Sequence, residues 1–356
     1  MGLTQAIILE SRPFAQYHFG EYSIDDTRLN HTSLIPHADT IFSAIINIYN
    51  RTFSDTDDFI TALELYDLQI SSGCYCLRGD NGSIFFLPKP QVLGILNNTS
   101  EDFKKQKKVL FVSKSVWERG INPDLFLTDD TVLLGNKFVC TNKEIKEIKK
   151  VKLKAKFHTE LSLANIGSLT KNRVHTDKQE NTLYTQSNLQ IQDLEQFGLS
   201  VHFYFLLKHD LPVEWKKKLD LVISLLPEFG LGGERSTGCG KFWGVSAEEF
   251  TINPLKPSAT FLCSASLISP YNLDELNRIN YYSTVIRGGR RLGSDENAGY
   301  KLQQIRMIKE GALVKNDLPI GHNPSIKPQG SQDEYLRYGK GFLLPIHENW
   351  TKQWQG

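Results

Sequence analysis

No stretch of the chain reaches the roughly 18 unbroken apolar residues that a membrane-spanning helix needs, so no membrane segment is expected. The start, MGLTQAIILESRPF, lacks a basic segment leading into a long apolar one. It reads as a first strand rather than a leader. Cysteine is sparse, with five in 356 residues and no CxxC pair. Cys74 and Cys76 are too close for an ordinary bridge, and Cys140, Cys239 and Cys263 stand alone. That usage argues against a disulfide framework and predicts reduced thiols in the cytoplasm. No His, Cys and carboxylate cluster shows ligand spacing, so neither a metal nor a cofactor is expected. Excess charge is missing too: 41 Lys and Arg face 40 Asp and Glu, for a net charge of +1. Any polyanion site must therefore come from local clustering. No period of about 20–50 residues repeats, which excludes a solenoid.

Local clusters do exist. From Lys143 to Lys156 the sequence KEIKEIKKVKLKAK carries seven Lys against two Glu, and KKQKK spans 104–108. Each reads first as a solvated face or loop.

Apolar periodicity predicts the elements. In SLIPHADTIFSAIINIYNR, Ile41, Ile45 and Ile48 recur at helical spacing, with Asp39 or Thr40 as N-cap. TDDFITALELY fits a second helix. LQISSGCYCLR and IFFLPKP read as strands joined at GDNG, where Asn81-Gly82 signals a hairpin. In LSVHFYFLLK, Val201, Phe203, Phe205 and Leu207 share one face. A helix follows, with Trp215, Leu219, Val222 and Leu226 on one stripe and Pro212 in its first turn. KFWGVS, TFLCSASLIS, the short helix YNLDELNR and two further strands complete the chain. Strand, helix, strand, strand, helix, strand is the ferredoxin-like plan. The fold class expected is α+β, with two ferredoxin-like lobes at 1–155 and 199–356 joined through 156–198. Within that junction, SLTKNRVHTDKQENTLYTQSNLQ is polar. It is either a disordered linker or a projecting hairpin that touches a partner.

The densest signal is GLGGERSTGCGKFWG at 230–244, with six Gly in fifteen residues. It is not a phosphate-binding P-loop: Gly233 and Gly238 have the spacing, but Cys239 stands where Lys belongs, and the loop runs from helix to strand. No dinucleotide fingerprint or nucleophile elbow fits either. Bare N–H groups at Gly232, Gly233, Gly238 and Gly240 could form an anion-binding nest. Arg235 could fork onto a phosphate, Ser236 and Thr237 could add hydroxyls, and Lys241 a point charge. Trp243 reads as core, though it or Phe242 could stack on bases. The alternative is a helix C-cap and tight turn.

At this loop the sequence resembles the RAMP superfamily of CRISPR-associated proteins, and within it the family of the fourth Csm subunit of type III-A effector complexes. HADTIFSAI at 37–45 is similar to that family's S-D-T-L-F-[GS]-A helix start. The hairpin ending in FLPKP, the KNRVHTDKQENTLYTQ thumb and RYGKGFLLPI at 337–346 follow in order. His37 stands where Ser is usual, and Lys178-Gln179 replaces the usual thumb residues. The resemblance implies a noncatalytic subunit that holds the 5′ repeat-derived handle of the CRISPR RNA (crRNA). It also implies docking to the large polymerase-like subunit and to the first backbone RAMP subunit. RNA contacts are implied for the glycine loop, for His37, Asp39 and Thr40 at the helix start, and for Arg173 and Asp177 in the thumb. The competing reading is a metal-free RAMP endoribonuclease using a His such as His37 as general acid or base. Asp25, Asp26 or Asp39 are candidates for the Asp-dependent cleavage seen in backbone relatives.

Overall fold

The structure is a computed structural model. It describes residues 3–21, 28–91, 108–121, 130–148, 161–174, 181–289, 301–315, 319–327 and 334–351. Along the chain, β1 (Gln5–Glu10) and β2 (Gln16–Tyr17) precede α1 (Ala38–Thr52) and α2 (Thr56–Leu65). β3 (Gln69–Ile70), β4 (Cys74–Gly79) and β5 (Gly82–Pro88) follow. Next come β6 (Phe111–Ser113), α3 (Lys114–Arg119), β7 (Thr131–Leu134), β8 (Phe138–Thr141) and α4 (Asn142–Ile148). β9 (Ala164–Val174) and β10 (Asn181–Ile191) form a long hairpin. β11 (Leu199–Lys208), α5 (Val213–Phe229) and β12 (Gly244–Glu249) lead to β13 (Pro257–Ser264), α6 (Leu273–Asn277) and β14 (Ile279–Asn280). The chain continues through β15 (Thr284–Arg287), β16 (Ile305–Ile308), β17 (Leu313–Lys315), β18 (Ser325–Ile326), β19 (Tyr335–Leu336) and β20 (Leu343–His347).

Two ferredoxin-like units result, but the sheets do not follow the expected division at 155 and 199. In the central sheet the order β12-β1-β11-β4 is antiparallel throughout. With α1 between β1 and β4, and α5 between β11 and β12, these six elements complete one βαββαβ unit. Residues 199–249 are its second half, not the start of a new lobe. Strands β5, β6, β8 and β7 extend the sheet beyond β4. The second unit begins at β13. Its order, β14-β17-β13-β20, is the same plan, with α6 between its first two strands.

The central sheet is buried on both faces because its strands are apolar in both phases of the pleat. Phe203, Phe205 and Leu207 of β11 pack with Ile41, Ile45 and Ile48 of α1 and with Leu219, Val222 and Leu226 of α5. Tyr204 and Leu206 point the other way, onto Cys263, Leu313, Phe342 and Leu344 of the second unit. The helices therefore cover one face and the second sheet covers the other.

Local expectations are adjusted at several ends. His37, not Asp39 or Thr40, is the N-cap of α1, and Pro212 is the N-cap of α5. The β4–β5 register pairs Gly79 with Gly82, so Asp80 and Asn81 are the loop residues. The polar junction is a hairpin in the described residues, pairing Ala164 with Ile191 at its root and Val174 with Asn181 at its far end. β2 adds to it as a third strand.

Candidate nucleic-acid interface

Helix α5 ends where Gly230 donates its N–H to the Leu226 carbonyl at 2.8 Å. The glycine loop then closes on itself, with Leu231 N–H on Gly240 O at 2.9 Å. It is clipped to the β2 segment by Gly233 N–H on His18 O and Gly240 N–H on Gln16 O, both at 2.8 Å. These N–H groups are spent on protein carbonyls. This corrects the reading of Gly233 and Gly240 as members of a bare anion nest. Glycine is needed here for close backbone approach. Gly232 has φ 92°, and a side-chain carbon there would lie 2.6 Å from His18 O. Gly240 has φ 82°, and a side-chain carbon there would collide with Leu231 O. Few residues other than Gly tolerate such φ.

Phe242 is buried and docks on Tyr17 at 5.1 Å between ring centroids. Tyr17 in turn packs edge-on against Phe203 at 5.1 Å. The loop is thus pinned to the core of the first unit. Trp243, expected in the core, is 65% exposed, because it alternates with Phe242 onto the outer side.

The loop offers Ser236, Thr237, Gly238 and Lys241 to solvent. Arg235 is half-buried, and its Nη1 donates to Phe229 O at 3.2 Å. That contact caps the C-terminal end of α5, where a cation also meets the negative pole of the helix dipole. This is the contact that the C-cap reading expects. Burial and the nearby Arg51 charge both lower the proton affinity of Arg235.

The loop is latched to the foot of the hairpin. Gln186 and Asn188 are buried, with their amide nitrogens 3.9 and 3.6 Å from Cys239 Sγ. Asn188 also donates to Gln16 Oε1 at 2.8 Å. Alternation along β10 carries the same face on to Tyr184. The ladder pairs Tyr184 with Lys171 and Gln186 with Leu169. Burial raises the Cys239 thiol, while the Thr237 hydroxyl and the Lys171 ammonium oppose it. The turn Arg235–Gly238 and the hairpin positions Leu169, Lys171 and Tyr184 bound the candidate groove.

The helix-start residues are elsewhere. His37 is 1% exposed, with Nδ1 2.7 Å from Glu310 Oε1. Asp39 is buried, and accepts from Arg287 Nε at 2.9 Å and from Arg337 Nη1 at 2.6 Å. Thr40 Oγ1 accepts from Arg287 Nη2 at 3.0 Å. The expected RNA contacts of His37 and Asp39 are corrected accordingly. Both are consumed by partners from the second unit, and a buried ion pair has no face left for a phosphate. Arg173 pairs with Thr182 in the ladder, its side chain outside the described residues, as is all of Asp177. Sequence reasoning missed Lys171, Tyr184 and Arg51. The signal available for the first two was the period-two alternation from Gln186 and Asn188.

Residues 258–346 match a family described as the CRISPR Csm4 C-terminal domain. Over 379 aligned residues the chain is 28% identical to "CRISPR system Cms protein Csm4" of Methanocaldococcus jannaschii, covering 96% of this chain and 97% of the relative. The chain is similar to Csm4 over nearly its whole length. Its fold is shared with a chain of the crystal structure of a Csm3–Csm4 subcomplex in the type III-A CRISPR-Cas interference complex. That chain superposes with a TM-score of 0.66 at 22% identity, over 96% of this chain and 99% of its own length. A chain of a Csm1–Csm4 cassette in complex with cA3 aligns over 97% of this chain and 98% of its own, at 16% identity and a TM-score of 0.48. No helix among the described residues is long and apolar enough to cross a membrane.

Proposed function

We propose that this chain is a noncatalytic crRNA-binding subunit of a type III-A Csm effector complex, acting in antiviral defence in the cytoplasm. It holds the 5′ repeat-derived handle in the groove between the glycine turn and the hairpin. It docks the large polymerase-like subunit and the first backbone RAMP subunit. The observation that carries the reading is the relation to Csm4 over 96% of the chain. The groove supports it from physics. Arg235, Arg51, Lys171 and Lys241 place cations around an exposed hydroxyl-bearing turn, and single strands are held by cationic grooves that track the backbone.

Two of the groups named for the endoribonuclease alternative are engaged elsewhere. His37 is locked on Glu310, and Asp39 is neutralised by two guanidiniums. Asp25 and Asp26 lie outside the described residues. The test is co-expression of the chain with the other subunits and a CRISPR array, pull-down on this chain, and sequencing of the bound RNA. A fixed repeat-derived 5′ end is expected. RNA with random 5′ ends, or none, contradicts the reading.

A further inference from the structure

Trp243 is an exposed tryptophan at the C-terminal end of the glycine-rich stretch, and one side of its ring is already taken. The Arg12 guanidinium carbon lies 3.3 Å from the ring centroid. The pair joins two elements: Arg12 follows β1, and Trp243 precedes β12, with Trp243 N–H on Glu10 O at 2.6 Å. The ring is thus held at the edge of the central sheet by a backbone bond below and a cation behind, and 65% of the residue still meets solvent.

Lys241 and Trp243 flank the buried Phe242, and both are exposed. Lys241 therefore brings an ammonium to the same exposed end of the loop. The closest carboxylate named near this strand end, Glu10, is engaged by Arg78 at 3.3 Å. Arg12 and Lys241 bring two cations to this strand end, and the open surface is a flat π-face. A nucleobase with its phosphate matches both features; an acidic or apolar protein surface matches only one.

We propose that Trp243, backed by Arg12, is a stacking platform for one base of single-stranded RNA, with Lys241 on the adjoining phosphate. The proposal rests on the RNA-binding reading above and extends the groove past the glycine turn to the sheet edge. The platform is preorganised, because Arg12 fixes the ring before any ligand arrives. It is tolerant of sequence, because every base has a π-face.

The test uses the full chain and single-stranded oligouridylate, in an intact form and a form with abasic positions. Trp243→Ala is expected to weaken the intact strand about tenfold, the worth of one stacked base, with an unchanged melting temperature. Trp243→Phe should keep most of the affinity, and Arg12→Ala should lose part of it. The Trp243→Ala deficit should vanish on the abasic strand. Lys171→Ala serves as the control for the groove. If Lys171→Ala weakens binding and Trp243→Ala does not, the platform is overturned and the groove reading stands. If Trp243→Ala binds RNA normally but fails to assemble with neighbouring subunits, the platform belongs to a protein partner and the proposal falls. If the unsubstituted chain binds no RNA, both readings fall.

Discussion

Asp39 and Arg337 are 298 positions apart in sequence and 2.6 Å apart in the fold. With Arg287, 248 positions away from Asp39, they tie the first turn of α1 to the second ferredoxin-like unit. His37 adds a parallel tie to Glu310, whose carboxylate also accepts from the Ser72 hydroxyl. The two units are thus joined by a buried polar seam beside an apolar one.

Removing one partner of a buried ion pair leaves the others desolvated without compensation. Asp39→Ala should therefore destabilise the protein by about 3–5 kcal/mol, read as a shift in a urea or guanidinium midpoint. Burial pushes the Asp39 carboxyl up, but Arg287 and Arg337 outweigh it and hold it well below the usual carboxylate range. A depressed folded pKa contributes stability that is present above the unfolded value, about 3.9, and lost as pH falls below it. Denaturation at pH 7 and pH 3 should show the Asp39→Asn deficit shrinking in acid. An equal deficit at both values would contradict the assignment.

Gly232→Ala and Gly240→Ala should unlatch the glycine loop, because each adds a carbon against a carbonyl oxygen at a positive φ. Gly238→Ala meets open space and carries only the cost of its φ, of order 1 kcal/mol. Proteolysis and melting temperature should rank Gly232 and Gly240 well above Gly238. The opposite ranking would show that the loop is not clipped to β2.

Arg235→Ala should act twice. Loss of the contact to Phe229 O should cost about 1 kcal/mol of stability, and loss of the cation should weaken RNA and reduce the salt slope by roughly 0.7. Differential scanning calorimetry and binding at two salt concentrations measure the two effects separately.

His202 gives a pH signature for the central sheet. Burial, reinforced by the Arg78 charge, lowers its pKa to about 4. Its Nδ1 accepts the Ser11 N–H at 3.1 Å. Because the folded value lies below the ordinary one near 6.5, the unfolded chain takes up the proton first. Stability should fall as pH drops from about 6.5 towards about 4, by up to about 3 kcal/mol. NMR titration should find the ring neutral at pH 5; a midpoint near 6.5 would contradict its burial.

Much of this architecture was legible in the sequence, and the misses have physical causes. The isoleucine spacing of α1 and the alternation of β11 are local patterns, and both elements formed as read. The unit boundary was misplaced because β11, α5 and β12 can either open a second ferredoxin-like unit or close the first. The deciding sign lies in β11 itself, where Tyr204 and Leu206 fill the phase between Phe203, Phe205 and Leu207. A strand apolar in both phases is a central one, buried on two sides. Asp39 was read as a cap because a local motif cannot display partners 248 and 298 positions away. Trp243 and Phe242 compete for one inward position, and the register of an irregular loop, which only the fold supplies, decides between them.

Photo-crosslinking tests the central claim most directly. With 4-thiouridine placed through the 5′ handle of the crRNA in the assembled complex, crosslinked peptides from this chain are mapped by mass spectrometry. The account predicts adducts within residues 230–244 and within the hairpin 164–191. Adducts confined to the second ferredoxin-like unit or to α2, with both of those segments unlabelled, would contradict it.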